Sequence, residues 1–127
     1  MSEAVDLSGV WHGIFSYPRL LPPETFVATL IDRGGNLAGE TEETASDGRS
    51  FTGLIQGLRA GTAVSFIKTY DDRHASPIHY AGTLDAEATE IAGTWRIRGN
   101  WGGPFVMVRQ PPVAEQADRR EAATISR

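Results

Sequence analysis

The sequence predicts an all-β domain: an antiparallel up-and-down barrel of about eight strands, followed by a charged C-terminal tail. Three observations carry this reading. Short runs rich in Thr, Val, Ile and aromatic residues alternate apolar with polar side chains along much of the chain. Clusters of Gly, Asn, Asp and Pro punctuate these runs. The chain has 127 residues, 40% of them hydrophobic, which suits one domain with a modest core, and its 14 glycines suit tight turns and close strand contacts.

The first strand is expected near residues 8–17, around Gly9 and Trp11, and it runs into the Pro-rich segment Tyr17-Pro18-Arg19-Leu20-Leu21-Pro22-Pro23. The second, 24–33, meets the turn Arg33-Gly34-Gly35-Asn36, and the third, 36–44, ends before Ser46-Asp47-Gly48. The fourth, 50–59, turns at Arg59-Ala60-Gly61. In the fifth, 62–70, period-two alternation puts Val64, Phe66, Lys68 and Tyr70 on one face, and Asp71-Asp72-Arg73 ends it. The sixth, 77–84, shares a face among Ile78, Tyr80, Gly82 and Leu84. The seventh, 89–98, does so with Ile91, Gly93, Trp95 and Ile97, before Arg98-Gly99-Asn100. The eighth, 102–109, carries Phe105, Met107 and Arg109, and Gln110-Pro111-Pro112 stops it because proline cannot donate to a ladder. These faces are assigned inward. The barrel domain therefore covers 1–109, and residues 110–127 form a charged tail, either disordered or a short helix with a thin apolar stripe.

Alternating strand direction sorts the connections. Those near 34–35, 60–61 and 85–88 fall at one end and are mostly tight; those near 18–23, 45–49, 71–76 and 99–101 fall at the other. A meander closed at one end and looped at the other is a cup, and about eight strands leave an interior for side chains or one small ligand. At the closed end the first and last strands are neighbours, so Arg109 is expected to stack on Trp11 and cap the base, a cation–π contact worth about 0.5–2 kcal/mol. Trp101 is expected in a rim loop.

Near the open end the inward faces gather Tyr17, Glu43, Lys68, Tyr70, Tyr80 and Trp95, and the 71–76 loop adds His74. An aromatic wall with a few polar groups is the chemistry of a small-molecule pocket. The alternative is a filled core whose polar tips reach the rim. Lys68 needs a partner if it points inward, because burying a lone charge is costly. A ligand carboxylate or phosphate could serve, as could Glu43, or the side chain could snorkel to the rim. A partly apolar ligand with an anionic group is the expected partner. Two other functions remain open: an enzyme of isomerase or cyclase type using Tyr70, Tyr80 or His74 as acid–base groups, and an interaction protein with a filled barrel.

Other classes are disfavoured. The net charge of −4 without a like-charge block speaks against nucleic-acid binding. With no cysteine there is no disulfide, thiolate zinc site or Cys nucleophile. His12 and His79 fall on outward positions, and no metal-ligand spacing, nucleophile elbow or phosphate loop occurs; no catalytic residue, metal or cofactor is assigned. No apolar run approaches the roughly 20 residues of a membrane span, and the start lacks a basic stretch followed by an apolar one. A cytoplasmic location is expected. Outward Val10, Ile14, Val27, Ile31, Val106 and Val108 form one apolar patch if the barrel closes, which suggests a homo-oligomer, most simply a C2 dimer.

Leu7-Ser8-Gly9-Val10-Trp11 resembles the opening of the calycin barrels, the lipocalins, fatty-acid-binding proteins and avidins. The resemblance implies a late Arg covering the early Trp, which Arg109 would supply, and it spans residues 7–109. The closing Ile91-Ala92-Gly93-Thr94-Trp95 stretch is most similar to avidin, whose barrels assemble wall to wall. Biotin is not implied: the positions two and six residues after the first Trp, polar in avidins, are Gly13 and Tyr17 here, and the last strand lacks the expected polar partner. Gly9-Val10-Trp11-His12-Gly13 also resembles nitrobindin-like haem barrels, but these bind iron through a late His, and none follows His79.

Overall fold

The computed structural model describes residues 5–17, 22–44, 47–70, 76–97 and 101–111. Eight strands run in chain order: β1 (Gly9–Phe15), β2 (Glu24–Arg33), β3 (Asn36–Thr44), β4 (Ser50–Ala60), β5 (Ala63–Tyr70), β6 (Ile78–Leu84), β7 (Glu90–Ile97) and β8 (Trp101–Arg109). Each pairs antiparallel with the next, and β8 returns to β1, so the sheet closes on itself. The closing register sets Trp11 opposite Arg109 and Phe15 opposite Phe105. Closure leaves no free sheet edge.

The alternation that predicts the strands also sorts their faces. On β5, Val64, Phe66 and Lys68 are buried while Ser65, Ile67 and Thr69 are exposed. The same alternation holds on β6, where Ile78, Tyr80 and Leu84 point in. Between β2 and β3, Gly34 (φ +64°) and Gly35 (φ +95°) take backbone angles that side-chain-bearing residues rarely adopt, which permits the two-residue turn. Gly13 answers a different need: a Cβ there would stand 2.2 Å from the Phe26 ring, so glycine lets that ring cross the interior.

The base is sealed by residues 5–8. Leu7 is fully buried. The Trp11 indole N–H donates to the Leu7 carbonyl at 2.9 Å. The Arg109 guanidinium lies 5.5 Å from the Trp11 ring and donates through Nη2 to the carbonyls of Asp6 (2.8 Å) and Ser8 (2.6 Å). Arg59 donates to the Val5 carbonyl (2.8 Å), and the Leu7 N–H donates to the Asp32 carboxylate (3.0 Å). The expected Arg–Trp cap is therefore present, together with a strap of backbone that it holds down.

One placement differs from expectation. Trp101 opens β8, its backbone paired with Ile97, rather than lying in a rim loop. The strand starts early because Gly102 and Gly103 follow it and pair with Arg96 and Trp95, which continues the ladder toward the mouth. Residues 112–127, most of the predicted tail, lie outside the described residues.

Candidate functional site

The middle of the barrel is filled by the chain's own aromatic side chains. Phe66 and Tyr80 stack at 4.6 Å and 12°. Phe105 meets Tyr80 edge-on at 5.0 Å, and Phe26 does so at 6.1 Å. The candidate site is thus confined to the layer above this plug, toward the long loops. There Phe15, Tyr17 and Trp95 form a mutual edge-to-face cluster with centroids 5.6–5.7 Å apart. The Trp95 N–H donates to the Ser16 carbonyl at 2.9 Å, which fixes its ring against the end of β1.

Lys68 sits at the centre of this layer and is fully buried. Snorkelling to the rim does not occur. Its Nζ lies 2.9 Å from Glu43 Oε2, and both side chains are nearly inaccessible. Phe15, Phe26, Tyr70 and Tyr80 surround the ammonium, with centroids 4.3–5.3 Å away. These are cation–π distances. The reach from Lys68 to Glu43 depends on Gly53. Lys68 is opposite Ile55, deeper in the barrel than Glu43, which is opposite Phe51. A Cβ at Gly53 would come within 2.7 Å of Thr41 Oγ1 and 3.3 Å of Lys68 Cγ. Glycine there leaves a lane along which the lysine stem can rise to the carboxylate.

Burial pushes the Lys68 ammonium below the usual lysine range, while the Glu43 charge pulls it back up. Burial also raises Tyr17, Tyr70 and Tyr80 far above the ordinary phenol value, with Glu43 and Glu24 adding to it. All three phenols are therefore neutral near pH 7. The Tyr17 hydroxyl donates to Glu24. Among the described residues, two buried hydroxyls, Tyr80 Oη and Thr41 Oγ1, have no hydrogen-bond partner. Unpaired buried polar atoms are uncommon and call for a water, a ligand or a strained role.

Of the seven sequence-predicted site residues, Tyr17, Glu43, Lys68, Tyr70 and Trp95 converge on this layer, Tyr80 belongs to the plug beneath it with its ring 5.3 Å from Lys68 Nζ, and the seventh, His74, lies outside the described residues. Sequence reasoning missed Phe15, Phe26, Thr41, Gly53 and Glu24. The inward phase of β1 and β2 could have supplied the first two, since Trp11, Gly13 and Phe15 alternate, as do Phe26, Ala28 and Leu30. Surface concavities also occur along the outer wall. One of about 740 Å³ runs along the outside of β6 and β7, lined by His79, Thr94 and Arg96 among others. It touches none of the converging residues. Among the described residues, no group of three or more His, Cys, Asp or Glu is placed to hold a metal ion.

No protein-family model and no curated protein matches the chain. Among solved structures, it is similar to a redesigned beta barrel at 18% identity and a TM-score of 0.73, over 83% of this chain and 92% of that one. It is also similar to lobster apocrustacyanin A1 at 15% identity and a TM-score of 0.48, over 94% of this chain and 69% of that one. These likenesses concern fold. The chain is a closed eight-strand antiparallel barrel, the fold of the redesigned barrel, and its early Gly-x-Trp lies under a late Arg, as the calycin resemblance implies.

Proposed function

We propose that the protein binds one small, partly apolar molecule in the layer above the aromatic plug, with an oxygen-bearing head set beside Lys68. The observation that carries this is the pairing of a wholly buried ammonium with unpartnered hydroxyls from Tyr80 and Thr41 inside an aromatic ring. A buried charge and two orphan hydroxyls are expensive as mere filling. A ligand oxygen reaching them would relieve that cost. Half-buried Tyr17 and Tyr70 stand at the mouth and would swing aside to admit it.

We propose a neutral oxygen, rather than an anion, as the head group. Lys68 is already neutralised by Glu43, and Glu24 adds a second carboxylate at the rim. An anion would have to displace Glu43, whereas a neutral carbonyl oxygen could accept from Tyr80 or Thr41 without doing so. The neutral phenols also favour binding over acid–base catalysis, which works best with groups that titrate near the working pH.

Native mass spectrometry of the full chain, purified from its own host, tests this reading. A retained small molecule is expected, and Lys68→Met is expected to lose it while remaining folded by circular dichroism. A bare chain that also shows no ligand-observed NMR response to small aromatic carbonyl compounds would overturn it.

A second proposal concerns the outer wall. Ile14, Val27, Ile31 and Val108 are 41%, 36%, 48% and 48% exposed. The register joins them: Ile14 is opposite Val106, and His12 lies between Val27 and Val108. Leu54, Leu58 and Ile67 form a further patch on β4 and β5, beyond the acidic strip of Glu40 and Glu42 on β3. We propose a C2 dimer through the β8–β1–β2 wall, since two identical apolar patches complement each other without charge matching. Sedimentation should show a dimer at micromolar concentration, dissociated by Val27→Glu with Val108→Glu. A wild-type monomer would sink this proposal.

A further inference from the structure

We infer that Lys68 is a carbonyl-capturing amine: it forms a reversible imine with an apolar or aromatic aldehyde held in the cup, with Glu43 as the counter-ion. This rests on the binding reading above for the existence of the cup, but adds a covalent step that simple binding does not need.

Lys68 is the single lysine among the 12 Lys and Arg residues of the chain. Wherever a surface cation is needed, the sequence uses arginine, and its one primary side-chain amine stands in the least accessible place in the barrel. Arginine would hold a carboxylate at least as well, through two parallel hydrogen bonds. What lysine offers and arginine does not is a nucleophilic nitrogen. The surroundings suit that use. Glu43 Oε2, at 2.9 Å, can take a proton from the ammonium and later balance the charge of a protonated imine. The Tyr80 hydroxyl, buried and unpartnered, can donate to a carbonyl oxygen. Among the described residues, the charged and titratable groups facing Lys68 are Glu43 from β3, Tyr70 from β5 and Tyr80 from β6, with Tyr17 and Glu24 at the mouth. Burial that weakens the ammonium raises the share of free amine.

The chemistry balances without a further reactant. The free amine of Lys68 adds to the aldehyde carbon, forming a C–N bond and a carbinolamine. The carbonyl oxygen then leaves as water, taking the two hydrogens lost by the amine. A C=N bond remains, and the imine nitrogen is protonated by the proton held on Glu43. Hydrolysis reverses each step, so the aldehyde is carried rather than consumed.

Benzaldehyde with cyanoborohydride, applied to the full-length folded chain, makes the test. Reduction traps any imine as a stable secondary amine, and peptide mapping separates Lys68 from the N-terminal amine. Lys68 is expected to label on the order of tenfold or more faster than N-acetyl-lysine amide at neutral pH, because the cup holds the aldehyde beside the amine and burial favours the free amine. That advantage should vanish in denaturant. Glu43→Gln should change the rate at Lys68 and leave the N-terminus unaffected. Lys68→Arg should lose the labelled peptide, and because the wild-type map already assigns the site, the test survives a failure of that variant to fold. If Lys68 stays unlabelled while benzyl alcohol still gives a ligand-observed NMR response, imine capture is wrong and the binding reading stands. If neither compound engages the cup, both fail. Labelling at the free-amine rate alone would also overturn the inference.

Discussion

Trp11→Ala is expected to destabilise the fold by about 3–5 kcal/mol, the range for truncating a buried aromatic side chain. Three losses coincide at this site. The ring is fully buried at the base, so its removal opens a cavity between strands that closure prevents from collapsing inward. The Leu7 carbonyl loses the indole donor that holds residues 5–8 across the bottom. The Arg109 guanidinium loses the ring it covers and keeps only its two carbonyl partners. Arg96→Ala, at an exposed position on β7, should stay within about 0.5 kcal/mol of wild type. Urea denaturation of both variants measures the contrast. Comparable losses would mean that the base is not a keystone of the barrel.

Closure and facing were legible in the sequence because both follow from a short-range rule. A half-buried strand must alternate, and the fifth to eighth strands alternate cleanly enough to fix their inward faces residue by residue. The Trp11–Arg109 cap was legible for a related reason: in an eight-strand meander the first and last strands must meet. Glu43 was legible as one possible partner of Lys68, but alternation could not choose it over a ligand anion or an escape to the rim. Glu43 lies on β3, two strands away, and the contact depends on the β3–β4 and β4–β5 registers together with the missing side chain at Gly53. Period-two reasoning fixes which way a side chain points, not how far up the barrel it reaches. For the same reason the aromatic plug could not be told from an open pocket. Phe66, Tyr80 and Phe105 face inward either way, and only their rotamers decide whether they stack across the interior or line its wall. The exposed Leu54, Leu58 and Ile67 patch was missed although β4 alternates as well as β5, because no inward face was assigned to β4.

Glu43→Gln should be the most damaging conservative change at the mouth, costing about 3–5 kcal/mol at neutral pH, as expected when one member of a buried ion pair is removed and the other remains. The amide keeps the shape but leaves the Lys68 ammonium among four rings with no countercharge. Replacing both partners, Lys68→Met with Glu43→Leu, should recover most of that loss and can exceed wild-type stability by about 1–4 kcal/mol, because two desolvated charges give way to apolar contacts. The pH profile carries the sign. The Lys68 pKa is lowered in the folded state from its ordinary 10.5. Between the folded and unfolded values the unfolded chain therefore binds more protons, and stability rises with pH. The raised tyrosines act in the opposite sense. Their contribution is present below the ordinary phenol value of 10.0 and is lost above it, as the unfolded chain ionises. Glu43→Gln removes the charge that holds Lys68 up, so its folded value drops further and the rising limb should start at lower pH and climb higher than in wild type. Urea midpoints for wild type and variant from neutral pH to about pH 10 measure this directly. A variant that loses stability by the same amount at every pH would show that Glu43 serves packing alone, and that the ammonium finds its compensation elsewhere.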